Sequence, residues 1–321
     1  AALATLVAPS FVRLRRAADG RKWATAYCLA YAGGSVSAFA EFGRAAPEWL
    51  EVVGVEMPGK GALADARWPE DEDPEKVPSE GASEASASSP ASSGESSWQS
   101  VGLPTSAAAA ASSPSSTTAT STAHADESRM MSQLAERMAA DAAGSALVLV
   151  GWSMGGMLAA ELAIHLTAWG TPPQLLHVAG RMAPGSFQDA GADVERYLLA
   201  SDEVRATEAW RDWMLPTLKA DLRADARAER RVHGLWSAAT AVSTAVASVA
   251  ADAQPSTSPT SPPSAPLSCA LQVCAGSEDP AFPPGARGGW QPLSSGRFEQ
   301  HVLGGGHEIL QHSARQLLEL L

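Results

Sequence analysis

The sequence predicts an α/β fold: a mostly parallel sheet with helices on both faces and a helical lid. Three observations predict it. The apolar run Ala146-Leu147-Val148-Leu149-Val150 leads into Gly151-Trp152-Ser153-Met154-Gly155, and helix formers follow from Met157 to Ala163, the pattern of a buried strand, a tight turn and a helix. Short strand-like runs recur at Tyr27 to Tyr31, Val52 to Glu56, Leu175 to Val178 and Ala270 to Cys274, separated by helical stretches, as in a chain of βα units. A last strand-like run, Arg297 to Leu303, is followed by Gly304-Gly305-Gly306-His307 and an amphipathic C-terminal segment from Glu308 to Leu320.

In chain order, residues 1–22 read as an N-terminal extension and 23–321 as one domain. The first 16 residues contain Arg13, Arg15 and Arg16 but no acid, and the chain starts with Ala, which fits a fragment, a processed form or the remnant of a transit peptide. After the first strand, Gly33 and Gly34 mark a loop, and a helix is expected near Val36 to Ala45. The strand Val52 to Glu56 ends in the turn Met57 to Gly61. Residues 62–125 are dominated by Ser, Ala, Pro, Glu and Thr with almost no large aliphatics. They read as a disordered insertion that cannot bury enough apolar surface to offset its ordering entropy. A helix from Glu127 to Ala143 resumes the fold. Residues 188–231 form an amphipathic helical region with Tyr197, Leu198, Trp210, Trp213, Met214 and Leu218, read as the lid. Residues 233–265 read as a second low-complexity insertion, its alanines compatible with a weak helix.

Composition narrows the function. The chain has 321 residues, 45% hydrophobic, enough for one large core. The net charge is −12, and residues 62–128 carry eleven acids against two bases, −9 of that total. The remaining body is nearly neutral and has no basic patch for nucleic-acid phosphates. Cys28, Cys269 and Cys274 read as buried thiols of a reducing compartment. No metal-ligand spacing, phosphate-cradling loop or membrane-length apolar run occurs. Neither cofactor nor metal is expected.

The chemistry resides in three side chains. Gly-x-Ser-x-Gly between a strand and a helix is the nucleophile elbow of the α/β-hydrolase fold: the glycines let strand and helix close in, and the serine is held out at the top of the sheet. The partners should follow as an acid and then a histidine. Asp279 lies in the turn after the strand Ala270 to Cys274, and His307 lies on the glycine loop after the next strand. His301 falls within a strand, His312 on a helix, and His124, His165, His177 and His233 precede the acid. Ser153, His307 and Asp279 are therefore the candidate nucleophile, base and orienting acid.

Several blocks resemble the type II thioesterase family, which includes the oleoyl-carrier-protein hydrolases and the editing thioesterases of polyketide and nonribosomal peptide synthesis. They are Leu29-Ala30-Tyr31-Ala32-Gly33-Gly34-Ser35 with Phe39, then Met57-Pro58-Gly59-Lys60-Gly61, the elbow, Val178-Ala179-Gly180-Arg181-Met182-Ala183-Pro184, Leu215-Pro216-Thr217-Leu218-Lys219-Ala220-Asp221, Gly276 to Pro280, and Gly305-Gly306-His307. Three positions depart from the family pattern: Ala30 for Pro, Trp152 for His and Lys60 for Arg. The resemblance implies hydrolysis of acyl thioesters carried on phosphopantetheine, either of an acyl carrier protein or carrier domain or of CoA. It implies an oxyanion hole from the backbone N–H of Met154 and of Ala32 or Tyr31, and a pocket for which Tyr31, Trp152, Trp210, Trp213 and Leu218 are candidates. Lys60, Arg181, Lys219 and Arg223 are candidates for docking an acidic carrier. A monomer is expected, in the cytoplasm, or in a plastid if the N-terminal segment is a transit-peptide remnant.

Two other readings share the residues. A serine esterase, lipase or acyltransferase would form the same acyl-enzyme, and a catalytically silent carrier-protein binder would keep the fold without the chemistry.

Overall fold

The computed structural model describes residues 8–68, 116–186, 206–252, 266–282 and 284–321. Seven strands form one sheet: β1 (Ser10–Arg15), β2 (Ala24–Leu29), β3 (Leu50–Glu56), β4 (Ala146–Trp152), β5 (Leu175–Ala179), β6 (Ala270–Gly276) and β7 (Phe298–Leu303). Their order is β1-β3-β2-β4-β5-β6-β7. Only β1 runs antiparallel, against β3, and every other neighbouring pair is parallel. The residues of β2 and β5 are all buried, as expected for central strands covered on both faces.

One face is covered by α2 (Ser116–Asp141) and α3 (Met154–Ala168), which bring Met130, Met131, Leu134 and Met138 against Leu149 and Leu158. The other face is covered by α1 (Ala40–Ala45) and the C-terminal helices, with Phe39, Phe42, Ile309, Leu310 and Leu317 packed around Val150 and Trp152. The long helix α4 (Leu215–Asp252) follows a π-helical turn over Trp210–Met214 and packs against α3.

The winding reverses at β2, which has β3 on one side and β4 on the other. Ligand crevices of open α/β sheets form beyond the strand ends at such a reversal. Here the chain places the loop after β2 beside the turn after β4. Close approach of α3 to the sheet explains the elbow glycines: a Cβ on Gly155 would lie 2.0 Å from the Leu29 carbonyl oxygen, and one on Gly151 would lie 2.2 Å from that of Gly155.

Several expected boundaries move. The N-terminal extension contains β1, whose Phe11 ring packs on Tyr27 at 5.3 Å and whose Arg13 pairs with Glu51 and Asp141. Arg13, one of the three arginines that made this segment look like a leader, has acidic partners on β3 and α2. Strand β2 ends at Leu29, so Ala30 and Tyr31 belong to the following loop. The helix expected at Val36 to Ala45 is a 3₁₀ turn (Val36–Phe39) followed by α1. The first insertion is shorter than 62–125: Trp68 is buried in the core and α2 already begins at Ser116, while residues 69–115 lie outside the described ones. The second insertion also shrinks, because α4 continues to Asp252, a consequence of alanine's high helix propensity; residues 253–265 lie outside the described ones. So do residues 188–205 of the expected lid, with Tyr197 and Leu198. The C-terminal helix is interrupted at Ser313, giving Ile309–His312 and Ala314–Leu320. Among the described residues no helix is long and apolar enough to cross a membrane.

Candidate active site

Ser153 follows β4 directly and is the only non-glycine residue with positive φ among the described residues, at φ 54° and ψ −119°. Such a conformation is strained for a side-chain-bearing residue and persists only where its surroundings fix it. Its N–H donates to the Ala179 carbonyl at 2.8 Å, and its own carbonyl accepts from Gly156 N–H at 2.8 Å. Backbone bonds to β5 and to α3 therefore hold the elbow from two sides.

Asp279 follows β6 with its side chain fully buried. Its two oxygens have separate partners. Oδ1 accepts from the Ala281 N–H at 2.9 Å, closing the local turn, and Oδ2 lies 2.9 Å from His307 Nδ1. Turn capping and imidazole orientation are thus both present in one carboxylate. His307 leaves β7 through the glycine loop, and Gly276 must lack a side chain there, since its Cβ would sit 2.2 Å from the Gly306 carbonyl oxygen. Gly180, after β5, has φ +62°, and a Cβ on it would come within 3.2 Å of His307 Cε1 and 3.5 Å of Asp279 Oδ2. It lies in the segment Val178 to Pro184 that resembles the thioesterase family, yet its contact with the imidazole–carboxylate pair joins strands far apart in sequence and left no local signal.

Ser153, His307 and Asp279 line one cavity of about 340 Å³. The same cavity is lined by Met154, Tyr31 and Ala32 on the sheet side and by Trp210, Met214, Leu218 and Leu222 from the lid. Met154 is the first residue of α3, where a helix N–H has no intrahelical partner. In the loop after β2, Gly33 N–H donates to Asp221 Oδ2 at 2.7 Å and Gly34 N–H to the Tyr31 carbonyl at 2.9 Å. The Ala32 or Tyr31 amide is accordingly the second candidate donor. Burial, and then the nearby Glu308 carboxylate, push the Tyr31 phenol up, so it faces the cavity un-ionised.

The expected pocket residues divide. Tyr31, Trp210 and Leu218 line the cavity. Trp152 does not: it is fully buried behind Tyr31, with ring centroids 4.4 Å apart, and its Nε1–H donates to the His307 carbonyl at 2.9 Å. Trp213 does not either. It is 54% exposed and faces a separate groove with Lys219 and Arg223, because three residues after Trp210 a π-helical turn no longer returns a side chain to the same face.

Two docking candidates are also removed from the surface. Lys60 is buried and paired with Asp221. Arg181 is buried and donates to Asp225 at 2.6 Å and Glu229 at 2.7 Å, and burial pushes the Asp225 carboxyl up. Lys219 and Arg223 remain exposed. A second ionic cluster ties the lid to the body: Arg227 and Arg231 on α4 meet Glu127 of α2 at 2.5 and 2.7 Å, and Arg231 meets Glu161 of α3 at 2.6 Å. Among the described residues no group of His, Cys, Asp and Glu could hold a metal ion.

Solved structures share this fold. The chain resembles RedJ, a thioesterase of the prodiginine biosynthetic pathway in Streptomyces coelicolor, at 23% identity and a TM-score of 0.57, over 98% of this chain and 88% of that one. It resembles the type II thioesterase BorB from the borrelidin biosynthetic cluster at 20% identity and 0.55, over 97% and 93%. The type II thioesterase YbtT of the yersiniabactin pathway aligns at 19% identity and 0.59, over 97% and 95%. At these identities the likeness establishes the α/β fold. No curated protein sequence matches the chain. The family described as "Thioesterase domain" matches residues 97–321, most of the sequence, and the chain belongs to that family.

Proposed function

We propose that this thioesterase-family protein hydrolyses acyl thioesters borne on the phosphopantetheine arm of a carrier protein, through an ester on Ser153. His307 takes the Ser153 hydroxyl proton as Oγ attacks the thioester carbonyl. The Met154 N–H and the Ala32 or Tyr31 N–H receive the oxyanion. Collapse breaks the C–S bond, and His307 returns its proton to the leaving thiolate. Water then attacks the ester with His307 again as base, releasing the carboxylic acid and the Ser153 hydroxyl. Asp279 holds the His307 tautomer and stabilises the imidazolium. The apolar lid wall of Trp210, Met214, Leu218 and Leu222 suits the acyl chain.

The observation that carries this reading is the His307–Asp279 pair facing the same cavity as the strained Ser153. Carrier-borne substrates are favoured because RedJ, BorB and YbtT come from biosynthetic pathways, YbtT's being a peptide and polyketide one. We place the reaction in the cytoplasm or a plastid, with the protein acting as a monomer. The test compares an acyl-carrier thioester, the matching acyl-CoA and an oxygen ester, alongside fluorophosphonate labelling. Preferred turnover of the carrier thioester, with labelling lost in Ser153→Ala, supports the reading. Preference for the oxygen ester rejects it in favour of an esterase.

A further inference from the structure

Asp221 lies on α4, three residues beyond Leu218, and is fully buried. Its Oδ2 accepts from the Gly33 N–H at 2.7 Å and from Lys60 Nζ, and its Oδ1 accepts from Trp68 Nε1 at 2.9 Å. One carboxylate therefore joins the loop after β2, the turn after β3 and the segment ending at Trp68. Leu218 and Asp221 share a helix face. Leu218 lines the cavity, and its Cδ1 would lie 3.6 Å from a Cβ on Gly33, whose φ is +79°.

The peptide joining Ala32 to Gly33 is planar, so fixing the Gly33 N–H also fixes the Ala32 carbonyl and Cα, leaving only the two backbone rotations of Ala32 between that anchor and the Ala32 N–H; Tyr31 and Ala32 line the cavity with Ser153. We infer that Asp221 is a positioning residue which makes the oxyanion site depend on a docked lid: only when this turn of α4 sits against the loop does Asp221 hold Gly33, and with it the Ala32 or Tyr31 amide, in place. The inference rests on the serine-ester chemistry proposed above. A hydrogen bond to a charged acceptor is strong, and the buried Lys60 and Trp68 donors would otherwise lose this acceptor.

Asp221→Asn tests it, because the amide NH2 must face one of those donors. With an acyl thioester, kcat should fall roughly 100-fold, the size of a small misplacement of a catalytic group, with KM within about threefold. Affinity for an alkyl trifluoromethyl ketone, which adds to Ser153 as a tetrahedral oxyanion, should fall by the same factor as kcat/KM. Arg231→Met removes the ion pairs to Glu127 and Glu161 at another turn of α4, leaves the Asp221 contacts in place and should leave ketone affinity within about threefold of wild type, as expected for a residue remote from the oxyanion. A folded Asp221→Asn protein with unchanged kcat and ketone affinity overturns the inference, as does a rise in KM alone. If Asp221→Asn fails to fold, hydrogen exchange on the wild type decides: residues 31–34 and 218–222 must gain protection together when the ketone binds, and protection of the loop alone overturns the inference. Should the wild type neither cleave thioesters nor bind the ketone, the functional reading fails, and joint or separate opening of the two segments without ligand still decides the structural coupling.

Discussion

The Trp152 indole N–H donates to the backbone carbonyl of His307 at 2.9 Å. A residue beside the nucleophile thus braces the loop that carries the base, and the two rings lie 6.3 Å apart. The position where the resembling family has His is occupied by a side chain that supports the active site from behind.

Trp152→Phe should remove the brace while keeping an aromatic ring behind Tyr31. The smaller phenyl leaves a cavity, and the His307 carbonyl loses its donor. Stability should fall by about 1 kcal/mol for the hydrogen bond and by a further amount for the cavity. Activity should fall without vanishing, because Asp279 still holds the imidazole. Urea melts and steady-state kinetics on the same preparation check both. An undiminished kcat would show that the loop needs no such support.

Asp279→Asn should act on chemistry far more than on folding. The amide can still close the turn with Ala281 through its carbonyl oxygen. Toward Nδ1 of His307 it presents the wrong hydrogen-bonding pattern and no charge. A loss in kcat on the order of 10⁴ is expected, with the melting curve little changed. A kcat within tenfold of wild type would reassign the acid, Glu278 being the alternative in the same turn.

These two substitutions mark what was legible in the sequence. That Ser153, Asp279 and His307 would line one cavity could be read because each sits at a strand end with a local signature: an elbow, an acid turn and a glycine loop. Gly180, Asp221 and the partner of Trp152 could not, because their roles arise from contacts between elements distant in sequence, as when Asp221 meets Gly33 across 188 positions. Lys60 and Arg181 looked like surface cations for the same reason, since the acids that bury them lie on α4. The insertion edges were blurred by composition. Alanine and serine runs suit both a linker and a helix, and the helices reach back to Ser116 and on to Asp252. Strand β1 was hidden by its arginines, of which Arg13 finds acidic partners on β3 and α2.

Glu127→Gln should destabilise the protein strongly. Glu127 is fully buried and receives Arg227 and Arg231 from α4, so its neutralisation removes a buried charge that two guanidinium groups share. Breaking a buried ion pair from one side costs about 3 kcal/mol or more. Glu161 keeps its own pair with Arg231. Urea denaturation should show the loss, while the folded fraction keeps wild-type kcat. A change below about 1 kcal/mol, the range of exposed pairs, would mean that α4 is not anchored to α2 in solution.

His177 predicts a pH dependence of stability. It lies in β5 at 1% exposure, its Nδ1 faces Gln272 Oε1 at 3.3 Å, and its Nε2 is buried with no partner. Burial pulls its pKa down to about 4, Gln272 opposes the shift, and His301 adds to it. The unfolded chain takes up the proton near pH 6.5, the folded chain only near 4. As pH falls through that interval the unfolded state binds more protons, so stability declines, and below the lower value the decline from this group stops. Burial also pulls down His165, with Arg231 contributing, so His177→Gln should reduce the slope without removing it. Urea midpoints at pH 7, 5.5 and 4.5 measure the slope in both proteins. Identical slopes would mean that the imidazole at position 177 is protonated as readily in the folded sheet as in the open chain.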